Sequence, residues 1–340
     1  MKRLIYAATV LFIASGAGGA QEEDFYRGKT IIIACHTGPG GGYDTYARVL
    51  SRHFGKHIAG NPSIIVINQP GAGGLFAINH AGRFAPRDGT FISLVGQGLM
   101  VHEPTGQPGM QVSLGDFNWL GNLASSTFIA VTFPKSRIKS LDDAMKQDVV
   151  MPSTGVGGTD SQLPTAYNAL LGTRFKIVQG YDGGGQMNLS AERGETEGRG
   201  AWNWTNLKSV YAADAKAGRF NVLIQTGLRR EPELPNVPLL LDLVKADPAK
   251  EAVARFLSTA VALNRTLATP RGVPVERVAI LRRAFEATIR DPEFLADAEK
   301  TGSEIIPMTG EETQIAIRQI LATPNDVIDR VKSVLGATMK

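Results

Sequence analysis

The chain has 340 residues, 43% of them hydrophobic and 20% charged. That suits about two globular domains at roughly 150 residues each and excludes a disordered chain. The 38 glycines follow no three-residue period, a single cysteine rules out internal disulfides and multi-cysteine metal sites, and a net charge of +4 without a basic cluster is no nucleic-acid footprint.

In chain order, Lys2 and Arg3 precede an apolar stretch from Leu4 to Ala14, then small residues ending at Ala20. This is the pattern of an export signal (residues 1–20) cleaved before Gln21. The apolar stretch is too short for a membrane span, which takes about 20 residues. Loss of Lys2 and Arg3 leaves 34 basic against 32 acidic residues, a nearly neutral mature chain. No later segment is long and apolar enough to span. The mature protein is expected to be soluble in the periplasm, where a lone Cys35 avoids wrong pairing.

One unit then recurs: strand, glycine-rich loop, helix. Ile31 to Cys35 is a run without polar alternation, as in a strand buried on both faces. Gly38-Pro39-Gly40-Gly41-Gly42 breaks it. Ala47, Leu50, Phe54 and Ile58 then recur at helical steps, with Asp44 at the favoured N-terminal acid position. The second unit is Ile64 to Ile67, Gly71-Ala72-Gly73-Gly74, then Leu75 and Ile78. Phe91 to Val95 is a further strand. Val149 to Met151, the loop Ser153 to Asp160 and a helix carrying Leu163, Tyr167, Leu170 and Leu171 make a third unit. Ile177-Val178 and the loop Gly180 to Gly185 begin a fourth. Such alternation predicts parallel sheets covered by helices. Phe128 to Phe133 and Phe256 to Leu263 read as crossings that bracket an inserted domain. Val278, Leu281, Phe285 and Ile289, and then Val327, Val331, Val334 and Leu335, mark helical scaffold near the C-terminus.

The glycine loops are where ligand chemistry is expected. In an open parallel sheet, ligands bind beyond the carboxyl ends of the strands. A helix start there presents free N–H groups and partial positive charge, so it holds an anion without Lys or Arg. The dinucleotide pattern G-x-G-x-x-G fails at Tyr43, Phe76 and Asp160, and Gly28-Lys29-Thr30 precedes a strand and lacks the P-loop's first glycine. No nucleophile–base set assembles. His53 and His57 are four apart, with no third metal ligand in view, and read as a solvated helix face. Cys35 and His36 are strand neighbours that point to opposite faces, Cys35 to core and His36 toward a strand end where ligand is within reach. On a strand Trp202 and Trp204 share a face opposite Asn203; Trp202 is either a cleft wall or packing, and Tyr43 and Tyr181 flank glycine loops with the same ambiguity.

These segments resemble the substrate-binding receptors of tripartite tricarboxylate transporters, the TctC-like or Bug family. Gly38 to Asp44 is similar to its P-G-G-G-x-D loop and Asn68 to Gly74 to its N-x-P-G-A-G-G loop. Pro86 to Thr90, Leu234 to Pro238 and Asp291 to Phe294 resemble its P-D-G-Y/T, L-P-x-V-P and D-P-E-F/V segments, and the resemblance covers nearly all of the mature chain. It implies an α/β two-domain periplasmic binding fold of the Venus-flytrap type, each domain a mostly parallel sheet flanked by helices. Domain 1 would be 21–127 plus 258–340 and the inserted domain 128–257, with the cleft between them. It implies no catalysis, no cofactor and no bound metal. It implies a small carboxylate held by backbone groups and waters at Thr37, Gly38, Gly40, Gly41, Tyr43 and Asp44, and at Gly71, Ala72 and Gly73. The second domain would add Ser153, Thr154, Gly155, Thr159 and Tyr181; Trp202 stays a candidate wall on the residue reading alone. His36-Thr37, Asp160 and the Trp202-Asn203-Trp204 run depart from the family pattern. Asp160 facing the cleft would repel a carboxylate or select an amine or hydroxyl; as a helix-start residue it would do neither.

The expected role is a monomeric periplasmic receptor that delivers a small carboxylate to membrane transporter subunits by transient docking, with neither nucleic-acid binding nor membrane insertion. The alternatives are a ligand sensor acting on a sensor kinase and, more remotely, a secreted hydrolase using His36, Asp44 or Asp160.

Overall fold

The computed structural model describes residues 25–125 and 127–336, so the expected export signal lies outside the described residues. The first strands are β1 (Thr30–Cys35), β2 (Ser63–Asn68), β3 (Phe91–Val95) and β4 (Asn118–Ala124). The chain then crosses into β5 (Phe128–Thr132), β6 (Val149–Ser153), β7 (Phe175–Gln179), β8 (Gly198–Asn203) and β9 (Asn221–Thr226). It returns for β10 (Asn264–Thr269) and β11 (Met308–Thr309). One sheet has the order β11-β4-β10-β3-β1-β2. The strands between the crossings form β8-β5-β9 and β6-β7, and a bond from Glu197 N to Val150 O ties β6 to the start of β8.

Parallel pairing holds where the sequence shows strand–loop–helix units: β2-β1-β3 and β6-β7. The strands at the crossings pair antiparallel: β10 with β3 and β4, β11 with β4, and β5 with β8 and β9. The cause is topological. β4 leads almost directly into β5, and a strand coming back beside the one that left must run the other way. The six-stranded sheet is therefore mixed, β8-β5-β9 is antiparallel and β6-β7 is parallel, with the parallel pattern confined to the unit-built parts. The return itself is made by the helix Pro248–Ala262, which runs through the expected boundary at 257/258.

Apolar faces pack as their spacing dictates. Ile31, Ile33 and Cys35 bury one face of β1 against Ala47, Leu50 and Phe54 of the helix Gly42–Phe54, and against Leu281 and Phe285. That helix stops at Phe54, and Ile58 reaches the same core after a 3-10 turn. The last described helix, Asn325–Gly336, buries Val331 and Leu335 and packs on the helix Thr159–Leu171. Each fully buried large apolar side chain contributes about 1.5–3 kcal/mol. Four scaffold helices start behind side-chain caps: the Ser140–Asp143 box, Asp247 before Pro248, Asp291 before Pro292, and the Thr309–Glu312 box. His53 and His57 bind Asp297 and Asp291 at 2.9 Å each, and Lys56 Nζ lies 2.6 Å from Asp291 and 2.5 Å from Glu293. Carboxylates close this surface, so it is less solvated than the sequence suggests.

Candidate functional site

The four glycine loops meet in pairs. The loop after β1 lies on the loop after β7, joined by Gly38 N to Asp182 O at 2.7 Å. The loop after β2 lies on the loop after β6, joined by Gly73 N to Thr154 O at 3.0 Å. These approaches are possible because no side chain intervenes. A Cβ on Gly73, which sits at φ 68°, would lie 2.5 Å from the Gly157 carbonyl carbon and 2.8 Å from Gly158 Cα. One on Gly41 would lie 3.2 Å from Gly184 N.

Behind this seam is a small cavity of about 80 Å³, lined by the loops and by β8 and β10. Among the helix starts that line it are Gly42 and Tyr43, Thr159 and Asp160, and Gly184. Their N-caps are Gly41, Gly158 and Gly183, and none supplies a side-chain cap. No side chain therefore takes up the amides of these first turns, which gather partial positive charge beside one cavity.

The charged side chains extend this pattern. Arg265, on β10, is buried at φ 70° and stacks on Tyr43, its guanidinium carbon 3.9 Å from the ring centroid. It donates to Asn264 Oδ1, and its Nε is unpartnered. Tyr43 Oη lies within hydrogen-bond reach of Gln97 Oε1 and Asn264 Oδ1, which share its one proton. Arg199, on β8, lies over Trp202 at 5.0 Å and bonds Asn188 at 2.9 Å, again with an unpartnered Nε. Burial lowers Arg199 to about 10, against the pull of Asp160, so it stays charged at neutral pH. Burial likewise pushes the Asp160 carboxyl up, opposed by Arg199 and by hydrogen bonds from Ser153 and Thr154. His36 is lowered to about 4 by burial, with Arg265 acting in the same direction and Leu94 O against it. Its Nδ1 lies 3.0 Å from that carbonyl, so the neutral ring donates there.

This geometry can be set beside known proteins. A family model described as "Tripartite tricarboxylate transporter family receptor" matches residues 46–332. The chain belongs to this family. No curated protein matches. Among solved structures the chain is similar to the periplasmic binding protein BugD, at 17% identity and TM-score 0.71, covering 91% of this chain and 98% of that one. An R. palustris protein with adipate matches at 16% identity and TM-score 0.69, over 89% and 97%. MatC from Rhodopseudomonas palustris with bound malate matches at 17% and 0.67, over 90% and 99%. These likenesses show the fold, that of two-domain periplasmic binding proteins.

In this receptor seven of the expected residues line the cavity: Thr37, Gly41, Tyr43, Gly73, Thr154, Thr159 and Trp202. Eight do not, and the structure gives each another task. Gly38 meets Asp182, and Ala72 packs on Gly155. Gly71 O accepts from Gly74 N. Gly40 N donates to Asp44, whose carboxylate also takes Asn68 and Arg48. Burial alone would raise Asp44, but these donors outweigh it and hold the carboxyl below its usual range. Ser153 Oγ donates to Asp160 at 2.8 Å. Tyr181 Oη bonds Ser190 at 3.0 Å. These eight shape or close the loops around the cavity. The two tryptophans also part company: β8 ends at Asn203, which caps the next helix by accepting from Asn206 N, and Trp204 turns away to Glu233. Trp202 Nε1 bonds Asn206 at 2.7 Å. Sequence reasoning passed over Arg199, Arg265, Gln97 and Asn206. A usable signal existed for the first, an arginine between Gly198 and Gly200 inside a strand.

Proposed function

We propose that this receptor binds a small carboxylate in the cavity behind the glycine seam and passes it to the membrane subunits of a tripartite transporter. The observation that carries this reading is convergence: three glycine-capped helix starts and two buried arginines, each with an unpartnered Nε, share one small cavity. The adipate- and malate-bearing relatives support the ligand class. On this reading the mature chain begins at Gln21 in the periplasm and works as a monomer that binds without turnover, cofactor or metal. The domains are 21–127 with 258–340 and the inserted 128–257, and the cleft closes on ligand by hinge motion. The eight residues that miss the cavity are assigned to closure and loop support, and the seven lining ones to ligand contact. Among the described residues no helix is long and apolar enough to cross a membrane.

A thermal-shift screen of the chain from Gln21 against a carboxylate panel tests this. Ligand at about 100 times its dissociation constant should add about 2.7 kcal/mol, a rise of several degrees in Tm. A flat response across the panel, with no bound acid found by mass spectrometry of denatured protein, would overturn it.

A further inference from the structure

His53 and His57 stand one turn apart, at the end of the helix Gly42–Phe54 and in the 3-10 turn that follows it. Alone they lack further metal ligands, and the fold supplies them. The helix Pro292–Lys300 packs on this helix and brings Asp291, Glu293 and Asp297 to the two imidazoles. His53 Nε2 lies 2.9 Å from Asp297 Oδ2, and His57 Nε2 lies 2.9 Å from Asp291 Oδ2. Donor atoms of His53, Asp291 and Glu293 all lie within 4.8 Å of one another, a spread that one ion draws together with small side-chain shifts. The cluster is partly shielded: the side chains of His53, His57 and Asp291 are 13%, 23% and 9% exposed. Asp291 Oδ1 caps its helix by accepting from Glu293 N, which leaves Oδ2 for the cluster. Phe294 holds the His53 ring edge to face.

The cations in contact do not balance the acids. Three carboxylates face Arg52 and Lys56, so one negative charge is left over beside two imidazoles. Lys56 Nζ holds the central place, against both Asp291 and Glu293. Its side chain is 36% exposed on a flexible stem, so the ammonium leaves for water at small cost. Arg52 keeps Asp297 at 2.8 Å. Imidazole nitrogen with carboxylate oxygen is the donor set of zinc and its first-row neighbours, whereas calcium and magnesium take oxygen ligands.

We propose that His53, His57, Asp291 and Glu293 form a site for a divalent transition metal of the zinc type, entered when Lys56 swings out. The ion takes the place of the proton that each imidazole shares with a carboxylate, and the rings carry their hydrogen on Nδ1 instead. The site pins the end of one helix to the start of another. It stands apart from the ligand cavity, whose own binding it leaves metal-free, and does not depend on the carboxylate reading.

The test is calorimetric titration of zinc chloride into the untagged chain from Gln21, first stripped with a chelator. One zinc per chain should bind with a Kd of about 10 µM or tighter, while magnesium and calcium chloride give no binding at the same concentrations. Saturating zinc should raise Tm by several degrees. His53→Gln and His57→Gln should each weaken zinc at least about tenfold. Lys56→Met removes the competing ammonium and should tighten zinc severalfold, a gain that a purely structural ion-pair cluster would not show. The comparison of zinc with calcium in the wild-type protein stands without the variants, should any fail to fold. No zinc binding below about 100 µM would overturn the site. So would zinc binding that His53→Gln, His57→Gln and Lys56→Met all leave unchanged, which would place the ion elsewhere.

Discussion

Two groups of helices start differently in this molecule. Four scaffold helices, Leu141–Lys146, Pro248–Ala262, Pro292–Lys300 and Gly310–Leu321, begin behind a Ser, Asp or Thr whose side chain takes up first-turn amides. The cavity helices, Gly42–Phe54, Thr159–Leu171 and Gly184–Arg193, begin behind glycines that take up none. Charged groups divide the same way. Arg52 and His53 share Asp297, and Lys56 and His57 share Asp291. Around the cavity, Arg199 Nε, Arg265 Nε and Thr159 Oγ1 have no partner. Folded proteins rarely leave buried polar groups unpaired. Nine such side-chain atoms stand unpartnered among the described residues, and the two that belong to charged groups both lie at this cavity, where the proposed ligand would meet them.

The contrast breaks most sharply at Gly73. Valine there meets a positive φ, and its Cβ falls on the backbone of Gly157 and Gly158. Backbone cannot step aside as a flexible side chain can, so the loop after β6 is held off and the cavity loses one wall. Carboxylate affinity should fall at least about a thousandfold, ~4 kcal/mol, while the unliganded melting temperature changes little. Small-angle scattering should show a particle that stays expanded at saturating ligand. Retained affinity would mean that the seam does not govern closure.

Protonation probes the same division. In the unfolded chain His36 titrates near its ordinary 6.5; in the fold, burial holds it down to about 4. Between those values the unfolded chain binds more protons, so stability falls as pH falls. The contribution is fully present above about pH 6.5 and exhausted by about pH 4, a loss of ~3 kcal/mol. Urea unfolding at pH 7, 5.5 and 4 should show the slope, and His36→Gln should flatten it. Burial shifts His102 in the same direction, so the variant retains a shallower slope. An unchanged slope would put the sensitivity elsewhere.

Much of this was legible in the sequence, and the part that was not has a physical cause. The β-branched runs that became β1, β2 and β3 carry local signals, as do the glycine loops after them. β4 and β10 carry Asn122, Asn264, Arg265 and Thr266, polar residues buried inside a sheet, and no periodic pattern announces such a strand. The site divides similarly. Loops reveal where backbone comes close to something, but not whether that is ligand or another loop; Gly38, Ala72 and Gly155 proved to face other loops. Arg199 and Arg265 are brought to one cavity by tertiary structure alone, 66 residues apart in sequence.

Asp160 sharpens the comparison because it is the one paired charge among the cavity's lining. Its Oδ1 staples the loop after β6 through three hydrogen bonds. Asp160→Asn keeps an acceptor oxygen but loses the charge that strengthens those bonds, a loss of about 1–2 kcal/mol in stability. Removing negative charge from the cavity should tighten a carboxylate severalfold. A collapse of binding would instead show that Asp160 reads a hydroxyl or amine on the ligand.

The smallest effects come from exchanging the two kinds of helix start. Asp247 caps Pro248–Ala262 by accepting from Ala249 N and Lys250 N, so Asp247→Ala should lose about 1 kcal/mol of stability and leave affinity unchanged. Gly41 already holds the extended backbone of an N-cap, with φ −95° and ψ 169°, so serine fits there conformationally, and Gly184 need give only a few tenths of an ångström. Its hydroxyl would accept from a first-turn amide now available to ligand. Gly41→Ser should therefore keep or slightly raise stability and weaken carboxylate binding about tenfold, ~1.4 kcal/mol. Opposite signatures from two changes of the same chemical kind would show that the glycine caps are held open for the ligand. Matching losses of stability, with affinity untouched in both, would reduce them to tight turns.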